Sequence, residues 1–199
     1  LLYDPKTSST RTKQYIAEVI SHEIAHQWFG NLVTMKWWND LWLNESFATF
    51  MATKIVDKFY PEWDYWDQFL DDAMSTAMSL DSLKSSHPID VKVNHPSEIR
   101  SIFDSISYDK GGCILRMLEH FVGKKNFQNG LKKYLKKHQY SNAQGSDLWN
   151  AIGDVSKQPV AKMMKTWINQ IGFPLVSVTR KNSTLLLKQS RFLLEETKS

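Results

Sequence analysis

Apolar residues recur at three- and four-residue spacing through most of this chain and switch to strict alternation only near its end. Ser8, Ser9 and Thr10 offer N-caps, and Ile16, Val19, Ile20 and Ile24 follow at helical spacing. This predicts a first helix reaching Phe29, with Gly30 as the C′ residue. The stretch "NLVTMKWWNDLW" reads as a connector with room for an extended piece. A second helix is predicted over about residues 43–59, stopped by Pro61, and a third over about 65–80. The run "DSLKSSHPIDVKVNHPSEIRS" is loop-like, because a residue before proline is biased away from helix and two His-Pro pairs occur here.

Helical spacing resumes in "SYDKGGCILRMLEHFVG", where Gly111-Gly112 interrupts the pattern and marks close packing against another backbone. In "KKNFQNGLKKYLKKHQ", Phe127, Leu131, Tyr134 and Leu135 form one stripe and Lys132, Lys133, Lys136 and Lys137 the opposite face. Two more helices fit "SDLWNAIGDVSKQ" and "PVAKMMKTWINQIG", the second opened by Pro159 at N1. "PLVSVTRKNSTLLLKQ" then alternates, with β-branched residues, and predicts a hairpin turning near Lys181-Asn182. The fold class that follows is mainly α with a short β-hairpin at the C-terminus.

Composition sets bounds on this picture. The 199 residues are 42% hydrophobic and 23% charged, the balance of a globular domain with a real core. Eight Trp, seven Tyr and ten Phe supply the bulk for that core. A net charge of +4 does not call for nucleic acid, so the lysine face is read as a solvated surface. One cysteine, Cys113, excludes an internal disulfide framework and fits a reducing compartment, so a cytoplasmic location is the expectation. No apolar run is long enough to span a membrane. The opening "LLYDPKTSST" lacks an initiator Met and a signal-peptide pattern, and the chain reads as a piece of a longer protein.

The candidate chemistry lies in "VISHEIAHQWFG". His22 and His26, four apart, share one helical face and can present two imidazoles to one ion. Glu23 projects beside them, within reach of a water on the metal but angled away from the metal itself. A catalytic zinc takes three protein ligands and keeps one position open. Glu45, in the first turn of the second helix, is the candidate third ligand, with the small Ala48 and Thr49 on its face. The competing reading is a run of polar residues facing solvent, which explains poorly their place among Ile20, Ile24, Ala25 and Phe29.

"HEIAHQWFGNLVTMKWWNDLWLNESFATFM" resembles the zinc signature of the aminopeptidase N-like family of gluzincin metallopeptidases, in which eighteen residues separate the second His from a ligand Glu, as they separate His26 from Glu45. "FDSISYDKGGCILRML" resembles that family's later segment, whose Tyr stabilises the transition state, and Tyr108 stands at that place. The resemblance runs from residue 1 to about 172. It implies the helical zinc-binding half of a thermolysin-like catalytic domain, followed over 173–199 by the start of a β-sandwich domain. It implies one Zn2+ held by His22, His26 and Glu45, Glu23 as base and then acid, and Tyr108 as oxyanion donor.

The implied substrates are peptides with a free N-terminus, and the implied partners are the other domains of a parent protein. The family's Gly-x-Met-Glu-Asn motif, which binds the substrate amine, does not occur in these residues. Ser46 stands where the family often has Gly, a change expected to leave zinc binding unaffected. A gluzincin of other specificity, an endopeptidase or epoxide hydrolase, and a zinc-binding helical module without activity are the alternatives. Glu23 argues against the latter, since a structural site needs no base. His87, His95, His120 and His138 lack ligand spacing and read as structural or solvent-facing. Of two glycosylation sequons, at Asn44 and Asn182, the first is expected to be inaccessible.

Overall fold

The computed structural model describes residues 1–194. Its order is α1 (Thr10–Ala25), β1 (Val33–Met35), α2 (Trp42–Phe59), α3 (Tyr65–Gln68), α4 (Ser75–Asp81), α5 (Gly111–Val122), α6 (Lys124–His138), β2 (Ser141–Ala143), α7 (Gly145–Ser156), α8 (Val160–Asn169), β3 (Pro174–Lys181) and β4 (Thr184–Arg191). The mainly helical class and the closing hairpin are as the sequence predicts. The expected second domain, 173–199, has its last residues, 195–199, outside the described residues. Among the described residues no helix is long and apolar enough to cross a membrane.

α2 is the central element. It buries Trp42, Leu43, Phe47, Phe50, Ala52 and Val56 on several sides, and takes the polar Asn44, Ser46, Thr49 and Thr53 inside with them. Trp42 stacks on Trp149 of α7 with ring centroids 5.0 Å apart, and Phe50 meets Phe127 of α6 edge-on. The amphipathic helices close over this centre: Leu115 and Leu118 of α5, Tyr134 of α6, Ile152 of α7 and Met164 of α8 all lie in one cluster. The lysines of α6 face solvent, as the stripe requires. The connector does contain an extended piece: β1 pairs in parallel with β2, Val33 opposite Ser141. The closing hairpin turns at Asn182, whose φ of 56° is the left-handed conformation a tight turn asks for.

Two expectations about α1 change. The first helix stops at Ala25, and 26–29 form tighter turns. The His26 ring accounts for this: its Nδ1 bonds the Phe29 carbonyl at 2.9 Å, and the chain reverses at Gly30, whose φ of 142° excludes a side chain. The buried face of α1 also differs, since Ser21 and Ala25 go inward while Ile20 and Ile24 stay about half exposed.

The third predicted helix is α3 and α4 joined by a π-helical segment, Phe69–Met74. A second π-helical segment, Ile106–Lys110, leads into α5 without a break, so the glycine pair does not interrupt the helix. Gly111 permits a close approach instead: a Cβ there would lie 1.8 Å from Ser46 Oγ on α2.

Two charge pairs anchor this second π-segment. Lys110 and Asp81 are both buried and pair at 2.6 Å, and Asp81 also accepts from the Gly172 N–H and the Ser86 hydroxyl. Burial lowers the Lys110 pKa in spite of its partner, so desolvation of the ammonium works against the pair's attraction. Asp104 accepts from His87 Nε2 at 2.8 Å, while His87 Nδ1 bonds the Pro88 carbonyl.

Lys110→Ala would leave Asp81 a buried, uncompensated carboxylate, with an expected cost of about 3–5 kcal/mol read from the urea midpoint. An unchanged midpoint would mean that water or a neighbour replaces the ammonium. The second pair gives a pH signature. The Asp104 hydrogen bond raises the His87 pKa above its ordinary 6.5, whereas burial works against ionised Asp104 but the His87 bond and charge still hold its pKa below 3.8. The stability difference between the protein and its His87→Gln variant is therefore expected to be greatest between 3.8 and 6.5. It should shrink as pH rises through the raised His87 value and as pH falls through the lowered Asp104 value. A difference independent of pH would show that the pair is not ionised.

Candidate metal centre

α1 and α2 run antiparallel. His26 meets Glu45 at one end of the pair, and Lys13 lies over the Tyr60 ring at the other. The i,i+4 spacing of His22 and His26 brings their rings edge to face, with centroids 4.7 Å apart. Glu45, in the first turn of α2, points its carboxylate between them. His22 Nε2 and His26 Nε2 are 3.0 Å apart, and Glu45 Oε2 lies 3.2 Å from the first and 3.3 Å from the second. All three side chains are less than a fifth exposed. Among the described residues this is the group of three or more such side chains whose ligand atoms come close enough to hold one metal ion.

The donor set fits zinc on geometry alone. Bonds of about 2.0–2.1 Å at tetrahedral angles put neighbouring ligand atoms about 3.3 Å apart, close to the observed triangle. The His26 ring supports the same reading: with Nδ1–H given to the Phe29 carbonyl, its Nε2 is left as a lone pair facing the cluster. Protons can take the place of a cation. Burial works to raise the Glu45 pKa, yet hydrogen bonds from His22 and His26 outweigh it and bring it down to about 2. The Glu45 hydrogen bond in turn raises the His26 pKa.

Glu23 is exposed on α1 beside the cluster, and its charge acts on His26 and on Tyr108. Tyr108 arrives from the π-segment Ile106–Lys110 and stacks parallel to His22, centroids 5.9 Å apart. Burial first, and then the Glu45 carboxylate and the Glu23 charge, raise its pKa and keep its hydroxyl a proton donor. All five residues singled out in the sequence are thus brought to one place from three segments of the chain.

Sequence reasoning undervalued two residues. Ser46 is fully buried, and its hydroxyl donates to the Ser107 carbonyl at 2.6 Å, tying the residue after Glu45 to the residue before Tyr108. His87 is more than a packed histidine, since its pair with Asp104 lies at the base of the Tyr108 segment. Asp104-Ser105, just ahead of a helical segment, carries a turn-capping signal that could have pointed to it. Asn44, in the first sequon, is buried as expected.

Comparison with known proteins adds a second line of observation. Residues 1–167 match the profile described as Peptidase family M1 domain. Aminopeptidase M1-D of Oryza sativa subsp. japonica is 53% identical over 195 residues, which is 98% of this chain and 22% of that protein. Tricorn protease-interacting factor F2 of Thermoplasma acidophilum is 53% identical over 193 residues, covering 97% of this chain and 25% of its own length. Leucyl aminopeptidase of Saccharolobus solfataricus is 50% identical over 188 residues, 94% of this chain and 24% of that protein. The chain spans about a quarter of the length of the curated relatives it matches. With the family profile running through both helices of the cluster and the Tyr108 segment, the chain belongs to peptidase family M1.

Proposed function

We propose that these residues form the hydrolytic centre of a zinc aminopeptidase, with one Zn2+ held by His22, His26 and Glu45. The observation that carries this reading is the triangle of three ligand atoms 3.0–3.3 Å apart, flanked by a carboxylate and a phenol. When bound, zinc lowers the pKa of a water toward about 7 and polarises a carbonyl oxygen. Glu23, exposed beside the cluster, accepts the proton of the attacking water and returns it to the leaving amine. The Tyr108 hydroxyl donates to the carbonyl oxygen as that oxygen becomes an anion, and its raised pKa suits a donor that must not ionise first.

The substrates in this reading are peptides with a free N-terminus, by analogy with relatives named aminopeptidases. We assign 1–172 to the helical part of the catalytic domain and 173–199 to the start of a following β-sandwich domain. The exposure of every residue of β3 and β4 supports a hairpin that belongs with further structure. A cytoplasmic location goes with this proposal, supported by the single Cys113, which leaves no second cysteine in these residues to form a disulfide.

In the full-length protein, Glu23→Gln is expected to keep stoichiometric zinc and to lower kcat on an aminoacyl amide by about 10²–10⁴. Unimpaired turnover would sink the proposed role of Glu23. Glu45→Ala is expected to lose zinc on dialysis, as measured by metal analysis. Zinc retained at full stoichiometry would mean that the third ligand lies elsewhere. A preference for N-acetylated over free-amine amides would overturn the aminopeptidase assignment while leaving the metal centre standing.

A further inference from the structure

We propose that the Asp104–His87 pair is a positioning device for Tyr108, holding the π-turn that aims its hydroxyl at the metal cluster. This rests on the reading of Tyr108 as the oxyanion donor.

The turn Ile106–Lys110 is only five residues long, and its first N–H groups have no partners within it. Asp104 supplies them. One carboxylate oxygen accepts from Ile106 N–H at 2.9 Å and from Ser107 N–H at 3.2 Å, and the Asp104 carbonyl accepts from Tyr108 N–H at 3.0 Å. Three successive amides ending at Tyr108 are therefore fixed by one residue. The other carboxylate oxygen accepts from His87 Nε2 at 2.8 Å, and the His87 ring is itself oriented by its Nδ1 bond to Pro88. Asp104 is thereby held on two sides and cannot rotate without losing a charged bond.

The far side of the turn is held by Ser46, through the Ser107 carbonyl. Tyr108 is thus suspended between the Asp104 carboxylate below and α2 above, with its ring against His22. A donor hydroxyl displaced by about 1 Å forfeits on the order of 10²-fold in rate, so a pair that sets the turn sets the donor. π-turns concentrate at functional sites, and this one carries the residue with the proposed chemistry.

The test is a mutant cycle in the full-length enzyme. Tyr108→Phe alone is expected to lower kcat by about 10²–10³. Asp104→Ala is expected to lower kcat by about 10–10² with KM and zinc content near those of the unmodified enzyme. In the Tyr108→Phe background, Asp104→Ala should cost nothing further, because the group it positions is gone. His87→Gln, the milder change, is followed by 19F NMR of 3-fluorotyrosine placed at 108. A broadened or split resonance in that variant is expected, against one narrow line in the parent. Additive losses in the double variant, or an unmoved fluorine line together with an unmoved kcat, would overturn the positioning role. A normal kcat in Tyr108→Phe would instead remove Tyr108 from catalysis, while the fluorine line would still report whether His87 holds the ring.

Discussion

Two imidazole nitrogens cannot point lone pairs at each other across 3.0 Å, with a carboxylate oxygen beside both, unless something positive sits among them. The arrangement of α1 and α2 turns on this constraint. α1 turns Ser21 and Ala25 fully inward, keeps Ile16 and Val19 part-buried, and leaves Ile20 and Ile24 about half exposed. Across one end of the α1–α2 seam His22 and His26 meet Glu45, and these three side chains have to be satisfied together. The Tyr65 hydroxyl bonding Glu18 repeats the theme toward the other end of α1.

α2 provides the rigidity this needs. It is packed by aromatic rings from α6 and α7, and the buried Trp42 stack lies one turn from Glu45. A carboxylate in the first turn of so constrained a helix has few places to go. Ser46 extends the same rigidity to the Tyr108 segment, and Gly111 makes room for it. The His–His–Glu cluster and the phenol are therefore both referred to one helix, which fixes their mutual geometry to within packing tolerance.

The ligand candidates were legible in the sequence because the signals are local. A four-residue spacing within one helix, and a carboxylate in the first turn of the next, need no knowledge of tertiary structure. The hairpin was legible for the same reason, since alternation and a turn at Asn182 are short-range properties. The inward face of α1 was not: periodicity gives the helix, but the choice of Ser21 and Ala25 over Ile20 and Ile24 is made by what lies across the seam. The early end of α1 depends on a ring-to-carbonyl bond of His26, which composition does not reveal. Ser46 looked inconsequential because its partner is 61 residues away, and His87 because Asp104 is met only through a loop.

The difference in sequence distance also orders assembly. His22 and Glu45 are 23 residues apart, whereas the Ser46–Ser107 bond that docks the Tyr108 segment closes 61. Closing the shorter loop costs less chain entropy. In the proposed centre, a chain still folding can therefore capture its metal before the phenol reaches its place. Under the proposed function, metal occupancy and hydrolytic competence are separate stages of maturation, and the second waits on the rest of the helical body.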